Sequence, residues 1–123
     1  MPGATSAARM EALALRVRAA LPEGAEAWLR GLPLWWQEGG LGVVHAGADP
    51  ERGLAGQEDG VLLWGHRDFR KPRPDGLWIG HGHVIVEEPT AENGRISVDT
   101  GAWKTGKLTA ALISAQGVRF LQT

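Results

Sequence analysis

The stretch NGRISVDTGAWKTGKLTAALISAQGVRFLQ, residues 93–122, decides the fold reading. Within it Arg95–Asp99, Lys107–Ser114 and Val118–Gln122 are rich in β-branched and other apolar residues and are separated by turn formers, the pattern of strands. Asn93-Gly94 and Gln116-Gly117 stand where tight turns between strands belong. Working upstream, Leu77–Gly80 reads as another strand behind a loop, residues 71–76, that carries two Pro. Val61–Arg70 fits a short helix or an extended segment equally well. The Gly, Pro, Asp and Glu density of residues 46–60 indicates a surface loop. Before that loop, Trp35 and Trp36 lead through the turn Gly39-Gly40 into Leu41–His45, a short apolar run with the character of a buried strand.

The N-terminal part has a different period. Met10, Leu13, Val17, Ala20 and Leu21 recur at spacings of three and four, which predicts an amphipathic helix over Ser6–Leu21. Pro22 ends it and opens a second helix, Glu23–Gly31, stopped by Gly31-Leu32-Pro33. The predicted class is therefore α+β, with N-terminal helices followed by a mostly antiparallel sheet.

Composition narrows the chemistry. The chain has 123 residues, one domain's worth, and 13 basic against 14 acidic residues, a balance that argues against a nucleic-acid partner. With no Cys, any metal must be held by His, carboxylate or amide groups, which closes the zinc-finger readings. Glu11, Arg16 and Arg18 interrupt the apolar positions a signal peptide would need, and no stretch approaches a membrane span. A cytoplasmic protein with no membrane partner is the expectation.

Four His carry the candidate chemistry. His45 ends a strand and is followed by the small residues Ala46-Gly47. His81-Gly82-His83 follows the strand Leu77–Gly80, and alternate residues on a strand share one side, a frequent arrangement for imidazole ligands of a metal. His66 and Arg67, in Trp64-Gly65-His66-Arg67, form an aromatic and basic loop suited to an anion. Asp99-Thr100-Gly101 matches the tripeptide around an aspartic-protease carboxylate, but only 24 residues follow Asp99, too few to complete such a half-barrel.

Taken in order, Val43-Val44-His45-Ala46-Gly47, Leu62-Leu63-Trp64, His81-Gly82-His83, Ile96-Ser97-Val98-Asp99-Thr100-Gly101-Ala102 and Thr105-Gly106-Lys107-Leu108-Thr109 resemble the C-terminal half of the bacterial and phage serine/threonine-type phosphoprotein phosphatases. These belong to the calcineurin-like metallophosphoesterases. The resemblance covers residues 21–123, read as a partial phosphatase domain, while the helix within residues 1–20 has no counterpart in it. It implies one half of a four-layer αββα sandwich and a pair of divalent metals, commonly Mn, at the strand ends. His45 matches the His of the family's V-H-A-G motif and His83, after Gly82, that of its G-H-T-P motif, both metal ligands. His81 falls beside the ligand set, as an outer partner or, together with Asp99, an alternative ligand. His66 and Arg67 stand at and just after the position of a phosphate-binding Arg.

The departures shape the expected function. The family's G-D-x-H-G, G-D-x-x-D-R-G and G-N-H-E motifs are absent, and with them every catalytic residue, and Val84-Ile85 replace the Thr-Pro after the metal His. The resemblance thus implies a partial metal-dependent serine/threonine-type phosphatase, inactive alone, acting on a phosphorylated substrate only when the missing half completes it. Loss of strands beside His45 implies an uncovered edge or apolar face and homo-oligomerisation through it. The alternatives are a non-catalytic interaction domain on the same scaffold, marked by exposed Trp35, Trp36 and Trp103, and a one-metal hydrolase using His45, His81, His83 and Asp99.

Overall fold

A computed structural model describes residues 5–123 and divides the chain into two compact units, Met1–Pro33 and Leu34–Thr123. The division falls after Pro33, so residues 21–33, which the resemblance includes, group with the N-terminal helix. Residues 1–4 of the segment read as an N-terminal helix lie outside the described residues.

In the first unit α1 spans Ser6–Ala20 and α2 spans Ala25–Gly31. Thr5 caps α1, its hydroxyl accepting from the Ala8 amide at 3.3 Å. The second helix starts two residues later than its sequence suggests because Gly24 is left-handed, at φ +79°, which restarts the helix behind it. Glu26 binds Arg30 at 3.1 Å and Arg18 at 3.5 Å, joining the two helices. Neither helix buries a residue, and the apolar face of α1 with Met10, Leu13 and Val17 is exposed.

The second unit is built on a five-stranded mixed sheet: β1 (Trp35–Glu38), β2 (Leu41–Val44), β3 (Trp78–His81), β4 (Thr90–Glu92) and β5 (Arg95–Ser97), in the order β1-β2-β3-β5-β4. The class is α+β, but antiparallel pairing is confined to the margins of this sheet: β2, β3 and β5 run parallel, and β1 and β4 are hairpin partners of β2 and β5. The β4–β5 hairpin turns at Asn93 (φ +50°) and Gly94 (φ +75°), the consecutive positive φ angles that an Asn-Gly turn supplies. Of the two exposures expected beside His45, an open edge is absent, because Trp35–Glu38 pairs with its strand. The ambiguous segment resolves into α3 (Asp59–Trp64) followed by turns.

Register places Gly42, Val44, Ile79, His81 and Ser97 on one face of the sheet, with Leu77 just before β3. Over it pack Ala48, Leu54, Leu62 and Phe69, making the core with Val44, Leu77 and Ile79. Gly42 has no alternative there: a Cβ would lie 2.6 Å from a Leu54 methyl and 3.1 Å from one of Ile79. The opposite face carries Trp36, Val43 and Trp78, all exposed, and closes over only toward β5, where Ile96 is buried.

The loop of residues 46–60 is bound down firmly rather than loosely solvated. Arg73, with a side chain only 5 % exposed, donates to the carbonyls of Asp49 and Arg52 and pairs with Asp75 at 2.7 Å. Gln57 bonds the amide and the carbonyl of Asp49. Beyond the sheet, α4 (Ala102–Thr105) leads into a separate hairpin, β6 (Thr109–Ser114) and β7 (Gly117–Gln122). No helix among the described residues is long and apolar enough to cross a membrane.

Candidate functional site

Three parallel strands end side by side, and the C-terminal ends of parallel strands are where loops converge to form sites in such sheets. Beyond β2 stands His45, β3 ends at His81 and is followed by Gly82-His83, and β5 is followed by Val98-Asp99. The Gly82 amide donates to the His45 carbonyl at 2.8 Å, fixing the first two ends together. Gly47, two residues after His45, lets the segment around Gly65 and Phe69 pack close, since a Cβ there would meet the Phe69 ring at 3.2 Å and the Gly65 Cα at 3.4 Å.

The imidazoles of His45 and His83 come together, with ring centroids 5.1 Å apart and planes tilted by 52°. Both are exposed and face an open cleft of about 380 Å³ that Asp99, Thr100 and Lys107 also line. Trp64 meets His83 edge-on at 5.6 Å on its other side. His83 adopts φ +65°, rare for a residue with a Cβ and characteristic of functional positions. Asp99 is not free to turn wholly toward the rings, because its Oδ1 accepts from the Gly101 amide at 3.0 Å and so closes the Asp-Thr-Gly turn. The Thr100 hydroxyl of that turn donates to the Lys107 carbonyl and bonds Thr109 at 2.8 Å, a structural role.

His81 departs from the sequence expectation. Strand alternation predicts it on the same side as His83, but the strand stops at His81 and the left-handed backbone of His83 breaks the alternation. His81 turns into the packed face, where it is 6 % exposed and meets Phe69 edge-on at 4.7 Å. A carbonyl only accepts, so the His81 Nδ1–H donates to the Gly82 oxygen at 3.0 Å, and Nε2 takes the Ser97 hydroxyl at 2.8 Å. Burial holds this imidazole below the usual histidine range, partly offset by its bond to Gly82. With both nitrogens engaged, His81 has no lone pair to offer a metal beside His45 and His83, which removes the three-imidazole arrangement.

His66 and Arg67 lie elsewhere, on a larger cleft of about 510 Å³ whose lining also includes Trp64, His81, Arg95 and Ser97. The His66 Nδ1 accepts from the Asp68 amide at 3.2 Å, so Nε2 carries the proton and faces Asp49 at 4.0 Å. Arg67 is solvated, 3.7 Å from Asp68, whose carboxyl is held below its usual range chiefly by a hydrogen bond from Lys71. Since Trp64 lines this cleft and touches His83 on the other, the two clefts adjoin. Arg70, Arg95 and Ser97 also line this cleft, none of them marked by a motif, though the last two alternate with Ile96 on β5.

Among the described residues no group of three or more His, Cys, Asp or Glu side chains stands together as a metal site. His45 and His83 thus stand as a pair of adjacent imidazoles with no third His, Cys, Asp or Glu grouped with them among the described residues. No protein-family model matches the chain, and no curated protein is significantly similar to it.

Proposed function

We propose that this protein is a partial metal-dependent phosphoesterase, a hydrolase scaffold that contributes His45 and His83 to a metal centre whose carboxylate ligands these 123 residues do not supply. The observation that carries the reading is the convergence of those two imidazoles at 5.1 Å from neighbouring parallel strand ends. A bound divalent ion, Mn in the resemblance, would supply an activated hydroxide and polarise a phosphoryl group. The chain's own share is to present two imidazole nitrogens, with Trp64 beside the His83 ring and the Gly82–His45 bond holding the two strand ends together. His66 and Arg67, across Trp64, offer the phosphorylated substrate weak anion contacts. In this reading the protein works in the cytoplasm, away from membranes and nucleic acids, as a homo-oligomer or with a partner chain.

Titration calorimetry with Mn tests the pairing: weak binding that disappears in His83→Ala is expected, and no binding by the unaltered chain would overturn it. Hydrolysis of an aryl phosphate by the isolated chain with added Mn should be negligible. Clear turnover lost in His83→Ala would instead favour a hydrolase complete in itself. A second reading, a non-catalytic interaction domain, draws on exposed Trp35, Trp36 and Trp103, the last 84 % exposed.

A further inference from the structure

The larger cleft holds a basic group that neither the metal pair nor the fold accounts for. Arg95 and Ser97 project from the same face of β5, and the guanidinium of Arg95 is anchored in two ways: one terminal nitrogen donates to the Arg70 carbonyl at 2.7 Å, and its carbon lies 6.0 Å from the centre of the Phe69 ring. Among the described residues, its other terminal nitrogen and Nε bond nothing, and no carboxylate lies within ion-pair distance. A planar guanidinium fixed at one corner keeps its remaining donors preorganised, the arrangement that suits a two-point oxyanion contact. Arg67 and Arg70 line the same cleft. Three arginines in the lining face two acids, Glu88, which lies 3.8 Å from Lys107, and Glu92, directly across from Arg95 on β4, so the basic side chains outnumber the acidic ones.

We propose that this cleft is an oxyanion-binding site organised by Arg95 and Arg70, separate from the imidazole pair. Its ligand carries a phosphoryl or carboxylate group that accepts from the unused edge of Arg95, with the flexible Arg70 side chain closing from the rim. The site stands whether or not the phosphoesterase reading holds. Should both hold, it would receive a second negative group of the substrate.

The test is titration calorimetry on the full chain in metal-free buffer at low ionic strength, with inorganic pyrophosphate and with succinate at matched ionic strength. Saturable binding with Kd below ~1 mM is expected for at least one probe, and the tighter probe tells the phosphoryl from the carboxylate source. Arg95→Gln should raise Kd by ~10-fold or more, and Arg70→Gln, a change at an exposed side chain that leaves the backbone carbonyl in place, by several-fold. If Arg95→Gln does not fold, Arg70→Gln decides alone. The double variant His45→Ala/His83→Ala should bind as the parent does. No saturable binding, binding indifferent to the arginine variants, or binding lost with the two His would each overturn the site, and none of these bears on Mn binding by the imidazole pair.

Discussion

The two faces of the five-stranded sheet are made by neighbouring residues of the same strands and have opposite fates. On one, Val44, Ile79 and the preceding Leu77 are sealed beneath Leu54, Leu62 and Phe69. On the other, Trp36, Val43 and Trp78 remain in solvent. Both faces are apolar, so hydrophobicity alone does not say which is covered. What separates them is that the β2–β3 connection, by way of residues 46–76, delivers Ala48, Leu54, Leu62 and Phe69 to one side. Stability should be concentrated there, and the exposed face should be nearly silent in folding.

The largest effect expected is for Ile79→Ala, a fully buried side chain, at about 2–5 kcal/mol lost in urea unfolding. A loss as small as that of a surface change would erase the contrast. Next comes Gly42→Ala, where the added methyl collides with Leu54 and Ile79; about 1–3 kcal/mol is expected. The same strand gives the control, since Val43→Thr points to the open face and should stay within about 0.5 kcal/mol. Sedimentation at rising concentration should show Val43→Thr self-associating less than the parent if that face meets another chain.

Between these extremes lies a pH effect seated on the covered face. His81 is depressed below its ordinary value by burial, so the unfolded chain takes up a proton first as pH falls. Its contribution is fully present above pH ~6.5, the unfolded value, and is lost as pH falls from there through the folded value. Denaturant midpoints between pH 7.5 and 5.5 should drop more for the parent than for His81→Gln. Equal slopes would mean that this imidazole is not the buried, neutral group that its two hydrogen bonds describe.

Much of the framework could be read from local pattern. Helix α1, the strands at Leu41, Trp78 and Arg95, and the hairpin at the C-terminus all announce themselves through periodicity and turn residues. The parallel order of β2, β3 and β5 could not, because it depends on contacts between segments tens of residues apart. Strand β4, Thr-Ala-Glu, has little strand character of its own and forms because the Asn93-Gly94 turn delivers it to β5. At the site, the meeting of His45 and His83 is what the resemblance implies rather than what local pattern shows. The inward turn of His81 was hidden, since alternation holds only while a strand continues and the backbone changes hand two residues later.

That change of hand makes position 83 a place where folding and chemistry pull in opposite directions. Held in the left-handed region, a residue with a Cβ carries a conformational cost of about 1–2 kcal/mol that glycine would escape. If the imidazole serves nothing but the fold, His83→Gly is a repair and the variant should melt higher. If it serves a ligand, the same replacement trades a tool for comfort: the protein gains thermal resistance while the cleft shared with His45 loses one of its two nitrogen donors.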